Sequence, residues 1–511
     1  MNYSNPQIQK MKAYSPPLEG RRDFEGTLLD FNERTVPVNP KVVEAVRDFL
    51  SQNTLQVYPE YGTELTRKIA DYAGVLPEQV MVTNGSDQGI ELIFRTFTSK
   101  GEKVIIPTPS FAMFDQCAGV TGNEIMRPVY ELPSLSFPVQ EVLRAIDAGG
   151  VKLLVICNPN NPTGTLLDLE TIEKILKKAE AKGTMVYVDE AYFEFSKVSA
   201  APLIKKYPNL LITRTFSKAF GLPSLRIGYV LSQEANINEL SKVRGPYDVN
   251  MPAFVAAKAS LDNRKFVDEY VAEVMDKAKP LLEDFFTRNK IEFYPSGSNF
   301  ILFKPKNSKV YEILAANGIL TRPRSGPNID GTVRVTIGTA SQIKEFIRIF
   351  REKILQKYAF LDRDGALIFE PTDTFQIDSI EKLQILPGAK ESMQKLIAKG
   401  YKLALVSNQN GVGTPSFPQK DFDAPQNMML EIFERAGIVF DKIFICPHLP
   451  EDNCECRKPK LGLVKGLLAT TDLDFENSFM CGDRKTDEQF AENIGIRFIP
   501  TTTNQPLTIN I

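Results

Sequence analysis

The sequence predicts an α/β protein with at least two domains, each built around a largely parallel sheet. Three observations support this prediction. Short apolar runs rich in strand-forming residues alternate with helical patterns along the chain. At 511 residues, the chain is too long for one ordinary hydrophobic core. Different polar motifs follow the strands on the two sides of Gln356, so we expect the two parts to carry different chemistry.

The domain boundary is predicted at Gln356. The preceding segment SQIKEFIRIFREKILQK has apolar residues at helical spacing, and the strand-like YAFL follows it almost without a linker. We therefore predict one domain over residues 1–355 and a second over residues 356–511. The first has the size of a large enzyme domain, and the second is long enough to fold independently.

The composition favours small molecules as ligands. A formal net charge of -2 without a polybasic run gives no indication of a nucleic-acid or membrane partner. The amino-terminal segment lacks the apolar core of a signal peptide, and no stretch has the length of a membrane span, so we expect a cytoplasmic protein. Cys117, Cys157 and Cys481 are scattered, and we expect no disulfides.

Polar residues follow several apolar strands of the first domain. TFSKAFGLPSLRIGY, after the strand-like LLIT, contains Lys218 and Arg226. MVYVDEAY contains Asp189 and Tyr192, and LLVICNPNNPTG contains Asn161. Sheets of this class build ligand sites at the carboxyl ends of their strands. A lysine amine can form an imine. Together with a carboxylate, a phenol, an amide and a guanidinium, it is suited to hold a pyridine ring, its phenolic oxygen and a phosphate.

This ordered set resembles the fold-type I aminotransferases, which use pyridoxal phosphate, and within them the histidinol-phosphate aminotransferases. The resemblance covers roughly residues 25–350 and implies a large and a small domain. It implies that Lys218 forms the Schiff base with the cofactor. It also implies that Asp189 pairs with the pyridinium nitrogen and keeps the ring an electron sink, while Asn161 and Tyr192 hydrogen-bond the ring oxygen.

The same resemblance indicates which residues would bind the cofactor phosphate and which would cover one face of the cofactor ring. Ser217, Arg226 and the backbone of Ser86 and Asp87 would hold the phosphate. The latter two lie in TNGSDQGIELIFRTF, where a predicted helix begins, and a helix amino end favours an anion. Phe111 in PTPSFAMF would stack on the ring, at a position where the family often has tyrosine.

Four further residues are candidates for the substrate or the subunit interface. Tyr58 in VYPEYG matches a tyrosine that reaches the phosphate in the neighbouring subunit, so the resemblance implies a homodimer. Arg334 in VRVTIGT matches the arginine that binds the substrate carboxylate or phosphate, and Arg322 is a weaker second candidate. Glu33 in LDFNERT is a candidate for the imidazole pocket, although an ordinary surface glutamate fits the sequence equally well.

The second domain opens with carboxylates two residues apart at a strand end. They are Asp362 and Asp364 in YAFLDRDGALIF. One can attack phosphorus and the other can protonate the leaving oxygen, with magnesium offsetting the repulsion between carboxylate and phosphate. Further polar groups follow at Ser407 and Asn408 in LALVSNQNGVG, Lys458 in RKPK, and Asp483 in SFMCGDRKTD, with Asp487 beyond.

This second set resembles the haloacid-dehalogenase phosphatases, which have a Rossmann-like fold, over residues 357–511. The resemblance implies that Asp362 is the nucleophile and Asp364 the general acid/base. Magnesium would be bound by Asp362, Asp483 and the backbone carbonyl of Asp364. Ser407, with Asn408 beside it, and Lys458 would hold the phosphoryl group. The short interval between Asp364 and Ser407 leaves little room for an inserted cap domain.

Four metal ligands lie close together in CPHLPEDNCECRKPK. They are Cys446, His448, Cys454 and Cys456, and His448 is the only histidine in the chain. Thiolates and an imidazole suit zinc, and four protein ligands leave no open position for water, so a structural site is predicted. The short spacing resembles that of histidinol-phosphate phosphatases, whereas the related heptose-bisphosphate phosphatases usually have a longer interval.

Together the two resemblances predict a bifunctional enzyme of histidine biosynthesis. Glutamate would donate its amino group to imidazole-acetol phosphate, and the second domain would hydrolyse the resulting histidinol phosphate. Phosphoserine is an alternative substrate, because its pathway also joins transamination to phosphate removal. A phosphothreonine-decarboxylase-like lyase is an alternative for the first domain, and a non-enzymatic binding role would require both catalytic sets to be remnants.

Overall fold

The computed structural model describes residues 3–13, 15–16 and 19–510, and it confirms the predicted α/β class. Its contacts divide the chain into two compact units. The first comprises Met1–Asp284, Glu292–Pro305 and Tyr311–Ile347, and the second comprises Phe285–Ile291, Lys306–Val310 and Arg348–Ile511. The boundary predicted between residues 355 and 356 stays a prediction.

The first unit contains a seven-stranded sheet in which only one strand is antiparallel to the others. In spatial order the strands are Val80–Thr83, Gly228–Ser232, Leu210–Thr215, Met185–Asp189, Val151–Cys157, Lys103–Ile105 and Glu124–Met126. The antiparallel strand is Gly228–Ser232. Most of these strands consist mainly of apolar residues and are largely buried, as expected for a mainly parallel sheet with helices on both faces.

The first unit also contains a smaller antiparallel sheet. Its spatial order is Arg322–Arg324, Thr332–Thr336, Phe300–Lys304 and Glu292–Phe293. A separate parallel pair joins Thr27–Leu28 to Ile319–Leu320.

The second unit contains five strands that are all parallel. Their spatial order is Phe440–Cys446, Tyr401–Asn408, Lys357–Leu361, Phe479–Gly482 and Arg497–Pro500. The predicted strand that carries YAFL therefore lies at the centre of this sheet. The strands on either side of it end in the residues SN and CG, so the predicted polar motifs meet at one edge of the sheet.

Helices connect the strands of both units. Those before residue 356 are Pro6–Gln9, Pro40–Ser51, Glu64–Ala73, Gly85–Phe97, Ala112–Thr121, Val139–Asp147, Leu169–Glu180, Phe193–Ser196, Glu234–Val243, Met251–Asp262, Lys265–Ala272, Lys279–Arg288, Val310–Ala316 and Ala340–Lys353. Those after it are Ala389–Ala398, Gln419–Glu434, Lys465–Thr470 and Lys485–Ile494. Across the described ranges, no helix combines the length and apolarity needed to cross a bilayer.

The helix Gly85–Phe97 shows how apolar spacing places a functional end. Ile90, Ile93 and Phe94 lie on one face and are fully buried in the core beside the seven-stranded sheet. Because these anchors fix the helix against the sheet, its amino end is held at the edge where the parallel strands end.

Candidate active sites

A cavity of about 370 Å³ lies at the carboxyl ends of the strands in the first unit. This volume is within the usual range for small-molecule sites. All of the residues predicted to bind the cofactor line it except Tyr58, namely Ser86, Asp87, Phe111, Asn161, Asp189, Tyr192, Ser217, Lys218 and Arg226. The fold therefore brings together residues that are separated by up to 140 positions in the sequence.

Asp189 is a buried carboxylate at the base of this cavity. Its Oδ1 accepts hydrogen bonds from the Thr213 hydroxyl at 3.1 Å and from the Ala191 backbone N–H at 3.2 Å. Burial is the largest influence on the carboxyl group and raises its pKa to about 7. A cationic ligand at this position would favour the ionised form.

Lys218 presents a half-buried amine to the same cavity. Its Nζ donates to the Phe31 backbone oxygen at 2.9 Å. Burial, followed by the positive charge of Arg334, lowers the pKa of the amine to about 8. A substantial neutral fraction at physiological pH is what nucleophilic attack on an aldehyde requires.

A candidate anion site lies where the helix Gly85–Phe97 begins. Arg226 donates from Nη2 to Asp87 Oδ2 at 2.8 Å and from Nη1 to the Pro223 backbone oxygen at 2.9 Å. A Cβ atom on Gly85 would lie 2.7 Å from Arg226 Nη2, so glycine permits the close approach of this guanidinium. The helix amino end and the arginine are both suited to a phosphate.

Asn161 and Tyr192 are each held by another polar side chain. Tyr192 Oη accepts from Asn32 Nδ2 at 2.9 Å, and Asn161 Oδ1 accepts from Arg334 Nη1. Arg334 also donates to the Asp30 backbone oxygen and is buried, which lowers its pKa to about 10. The predicted substrate arginine is thus linked directly to a residue on the cavity wall.

Three other predicted residues have different surroundings. Tyr58 is 75% exposed and stacks on Tyr247 with ring centroids 4.4 Å apart, outside the cavity. Arg322 lines a second cavity of about 590 Å³, together with Arg21. Glu33 lines the first cavity and forms an ion pair with Arg21.

In the second unit, a buried lysine joins two carboxylates. Lys458 Nζ lies 2.8 Å from Asp362 Oδ1 and 2.6 Å from Asp487 Oδ1, and it donates to the Val406 backbone oxygen at 2.7 Å. Asn408 orders the lysine segment, because its side chain bonds both the backbone N–H and the backbone oxygen of Lys458.

Three carboxylates form a candidate cation site. Oxygens of Asp362, Asp483 and Asp487 lie within 4.8 Å of one another. Asp483 Oδ2 accepts from Thr503 Oγ1 at 2.6 Å, whereas the buried Oδ1 has no hydrogen-bond partner among the described residues. A buried acceptor without a donor, beside two further carboxylates, fits a hard cation such as magnesium.

The sequence did not reveal that Asp487 belongs to this cluster. It lies in the first turn of the helix Lys485–Ile494, where its Oδ2 accepts from the Arg484 backbone N–H. Burial, and then the charge of Asp362, raises the pKa of Asp487 to about 7. The RKTD segment gave the available signal, since it places this carboxylate one helical turn beyond Asp483.

The side chain of Asp364 is bonded to two residues outside this cluster. Arg363 Nη1 donates to its Oδ1 at 2.9 Å, and Gln409 Nε2 donates to its Oδ2. The same amide group donates to Ser407 Oγ at 2.7 Å. Gln409 therefore connects the predicted acid/base to a predicted phosphoryl ligand, a role that SNQ in the sequence did not indicate. Binding of a metal by the backbone oxygen of Asp364 stays a prediction.

The four predicted zinc ligands converge in one loop. Sulfur–sulfur distances among Cys446, Cys454 and Cys456 are 3.3 to 3.6 Å. His448 Nδ1 lies 3.7 Å from Cys446 Sγ and 3.1 Å from Cys456 Sγ. Tetrahedral zinc with Zn–S bonds of about 2.3 Å would separate its sulfurs by about 3.8 Å, so small shifts would admit the ion.

We expect Lys218 to react with an acylating reagent at lower pH than exposed lysines do. Its modification should be half-maximal near pH 8, because the pKa of the amine is lowered to about 8, whereas exposed lysines titrate near about 10.4. Brief pulses of acetic anhydride across a pH series, followed by peptide mass spectrometry, would measure both. Modification of Lys218 with the same midpoint as exposed lysines would contradict the lowered pKa.

Comparisons with known proteins agree with this geometry. Residues 25–350 match the aminotransferase class I and II model, and residues 357–503 match the polynucleotide kinase 3 phosphatase model. A histidinol-phosphate aminotransferase from Caldanaerobacter subterraneus subsp. tengcongensis is 34% identical over 330 residues, which are 63% of this chain and 92% of that protein.

Two solved structures are similar to the first part of the chain. A histidinol-phosphate aminotransferase from Sinorhizobium meliloti aligns with a TM-score of 0.60 and 20% identity, over 69% of this chain and 98% of that one. An L-threonine-O-3-phosphate decarboxylase from Porphyromonas gingivalis aligns with a TM-score of 0.56 and 25% identity, over 64% and 98%. These similarities confirm the fold-type I aminotransferase fold, and through residues 25–350 the chain belongs to the class I and II aminotransferase family.

Proposed function

We propose that this chain is a bifunctional enzyme that transaminates imidazole-acetol phosphate with glutamate and then hydrolyses the product, L-histidinol phosphate, to L-histidinol. The observation that carries the proposal is the presence of two separate catalytic sets on one chain. A cavity in an aminotransferase fold contains Lys218 and Asp189, and a five-stranded parallel sheet presents Asp362 beside Lys458. A transaminase joined to a phosphatase favours a phosphorylated amino compound that both can use.

Pyridoxal phosphate fits the first cavity and would supply an electron sink for the substrate's α carbon. Lys218 would bind it covalently through Nζ and, once released, move the proton between that carbon and the cofactor. Asp189 would accept a hydrogen bond from the protonated ring nitrogen. Asn161 and Tyr192 would bind the ring oxygen, and Phe111 would cover one face of the ring.

The phosphate of the cofactor would lie where the helix Gly85–Phe97 begins. The backbone of Ser86 and Asp87 would donate to it, and Arg226 and Ser217 would complete the site. Arg226 already lies against the first turn of this helix through its ion pair with Asp87. We infer that a phosphate would compete for this guanidinium, since both ligands are anionic.

Substrate recognition is assigned to Glu33 in the first cavity, to Arg334 beside it, and to Arg322 in the second cavity. Arg334 would bind the substrate's phosphate or carboxylate, with Arg322 as the second candidate, and Glu33 would face the imidazole. The exposure of Tyr58 is compatible with a reach into the neighbouring subunit of a homodimer.

In the second unit, Asp362 would attack phosphorus and Asp364 would protonate the leaving oxygen and then activate water. Lys458 and Ser407, with Asn408 ordering the lysine segment, would hold the phosphoryl group. Magnesium would be bound by Asp362 and Asp483, with Asp487 beside them and the backbone oxygen of Asp364 as a further ligand. The cation would offset the repulsion between carboxylate and phosphate.

Zinc would be bound by Cys446, His448, Cys454 and Cys456 in a structural site. The loop that contains them precedes Lys458 directly in the sequence. A metal clip can order a segment that is too short to build its own core. The zinc would therefore position the segment that carries the phosphoryl-binding lysine.

Two other functions have a specific observation in their favour. The match of residues 357–503 to the polynucleotide kinase 3 phosphatase model favours a nucleic-acid 3′-phosphate as a substrate. The similarity to a threonine-phosphate decarboxylase favours loss of carbon dioxide in the first cavity. Phosphoserine and heptose bisphosphate remain further phosphatase substrates to be tested.

Phosphorus NMR of the purified chain with magnesium would test the phosphatase assignment. L-histidinol phosphate, phosphoserine, a heptose bisphosphate and a 3′-phosphorylated oligonucleotide would be supplied in parallel. We expect phosphate release to be selective for histidinol phosphate. Selective release from another ester would overturn the histidine assignment while leaving the reaction type in place.

Two variants should separate the activities. Lys218→Ala should reduce transamination by at least about 10²-fold, the lower range for loss of a general acid or base, and should leave phosphate release unchanged. Asp362→Asn should do the reverse. Paired assays of both reactions, with Asp423→Asn on an exposed face of the helix Gln419–Glu434 as a control, would measure this division. Loss of both activities in a folded single variant would contradict independent sites.

Removal of zinc should disorder the loop around residues 446–458 and abolish phosphate release without affecting cofactor binding. The reason is that this loop ends at Lys458, whereas the cofactor residues belong to the first unit. Metal analysis before and after chelation, combined with hydrogen exchange by mass spectrometry, would follow both regions. Cys454→Ser should lose the metal, and the control Cys117→Ser should keep it. If both variants keep zinc, the metal is bound elsewhere.

A further inference from the structure

Two buried hydroxyl groups form a hydrogen-bonded chain that ends on Asp189. The Thr213 hydroxyl donates to Asp189 Oδ1 at 3.1 Å, and the Tyr187 and Thr213 hydroxyl oxygens are 2.7 Å apart. Tyr187 and Thr213 are fully buried, and Asp189 is 3% exposed. The two hydroxyls lie beneath the cavity wall, since neither Tyr187 nor Thr213 lines the cavity.

The Asp189 carboxylate determines which atom donates in each bond of this hydrogen-bonded chain. An ionised carboxylate has no proton to donate, so the single hydroxyl proton of Thr213 is committed to Asp189. The Thr213 oxygen must then accept from Tyr187. The chain therefore runs from the Tyr187 hydroxyl through the Thr213 hydroxyl to Asp189 Oδ1.

The strand register and the packing hold this chain in place. Asp189 lies opposite Thr213 in the parallel pairing of Met185–Asp189 with Leu210–Thr215. Tyr187 precedes Asp189 by two residues, so both side chains are on the same face of their strand. On the other side of Thr213, a Cβ atom on Gly89 would lie only 3.1 Å from the threonine Cγ2. Glycine at position 89 therefore leaves room for the threonine methyl group in the rotamer that directs the hydroxyl toward Asp189.

The carboxylate needs such donors because its other surroundings disfavour a negative charge. Burial has the largest effect, and the charges of Asp87 and Glu190 act in the same direction. Further titratable groups that interact with it are the Cys157 thiol and the phenols of Tyr187 and Tyr192. The donors closest to Asp189 are thus neutral, and their strength depends on how they are ordered.

We propose that Thr213 and Tyr187 are positioning residues that keep Asp189 ionised and oriented toward the ring nitrogen of pyridoxal phosphate. Thr213 acts directly on the carboxylate, and Tyr187 acts through Thr213 by committing the threonine proton. Neither residue touches the cofactor. This inference rests on the proposed cofactor, because its consequence is a ring nitrogen that retains its proton.

The test is nitrogen NMR of the full chain loaded with pyridoxal phosphate labelled with ¹⁵N in the ring. The chemical shift over a pH series reports directly whether the ring nitrogen is protonated. Thr213→Val preserves the side-chain shape and removes the donor, Thr213→Ser restores a hydroxyl, and Tyr187→Phe removes the outer donor. Thr184→Val is the matched control, since its buried hydroxyl donates to the Val151 backbone oxygen in the same sheet.

We expect Thr213→Val to lower the pH at which the ring nitrogen loses its proton by about one unit, the shift that corresponds to loss of one hydrogen bond to a charged group. Thr213→Ser should stay close to the wild type. Tyr187→Phe should cause a smaller shift, and the double variant Tyr187→Phe/Thr213→Val should match Thr213→Val alone, because Tyr187 acts only through Thr213.

Several outcomes would overturn the proposal. If Thr213→Val behaves like Thr184→Val, Thr213 does not support the carboxylate. If the effect of Tyr187→Phe persists fully in the Thr213→Val background, Tyr187 does not act through Thr213. A wild-type chain that binds no pyridoxal phosphate would instead overturn the proposed cofactor, a result that equilibrium dialysis separates from both of the others.

Discussion

Burial of carboxylates at the carboxyl ends of parallel strands is the constraint on which both candidate sites depend. Asp189 ends a strand of the seven-stranded sheet, and Asp362 directly follows the central strand of the five-stranded sheet. An unpaired buried charge costs several kcal/mol. Each unit must therefore supply donors or cations to these carboxylates, and the form of that compensation determines which ligand each site can accept.

The two units compensate their carboxylates in different ways. Asp362 is paired with the buried cation Lys458, which is itself fixed by the Val406 backbone oxygen and Asp487. The remaining negative charge includes Asp483 Oδ1, which has no donor in the part of the chain that the structure describes, and it matches a divalent cation. The donors to Asp189, by contrast, are neutral groups, and its pKa is raised to about 7. That environment matches an incoming ligand with a cationic ring nitrogen.

The sequence was sufficient to predict local features, but it was insufficient to predict contacts that depend on how the strands pair. Apolar spacing predicted the helices Gly85–Phe97 and Ala340–Lys353, and contiguous motifs contained most of the residues that line the cavity. Thr213 could not be recognised, because it becomes significant only when its strand pairs with that of Asp189. Gln409 likewise meets Asp364 across 45 residues. The role proposed for Tyr58 comes from the resemblance alone, because in a single chain this side chain is exposed.

The measurement that tests the account most directly follows nitrogen and phosphorus through both reactions in one tube. The full chain, loaded with pyridoxal phosphate, magnesium and zinc, would receive ¹⁵N-glutamate and imidazole-acetol phosphate. The account predicts ¹⁵N-labelled L-histidinol and free phosphate, with labelled histidinol phosphate as the intermediate that accumulates in Asp362→Asn. Label that remains in glutamate, or labelled histidinol phosphate that the wild-type chain never hydrolyses, would contradict it.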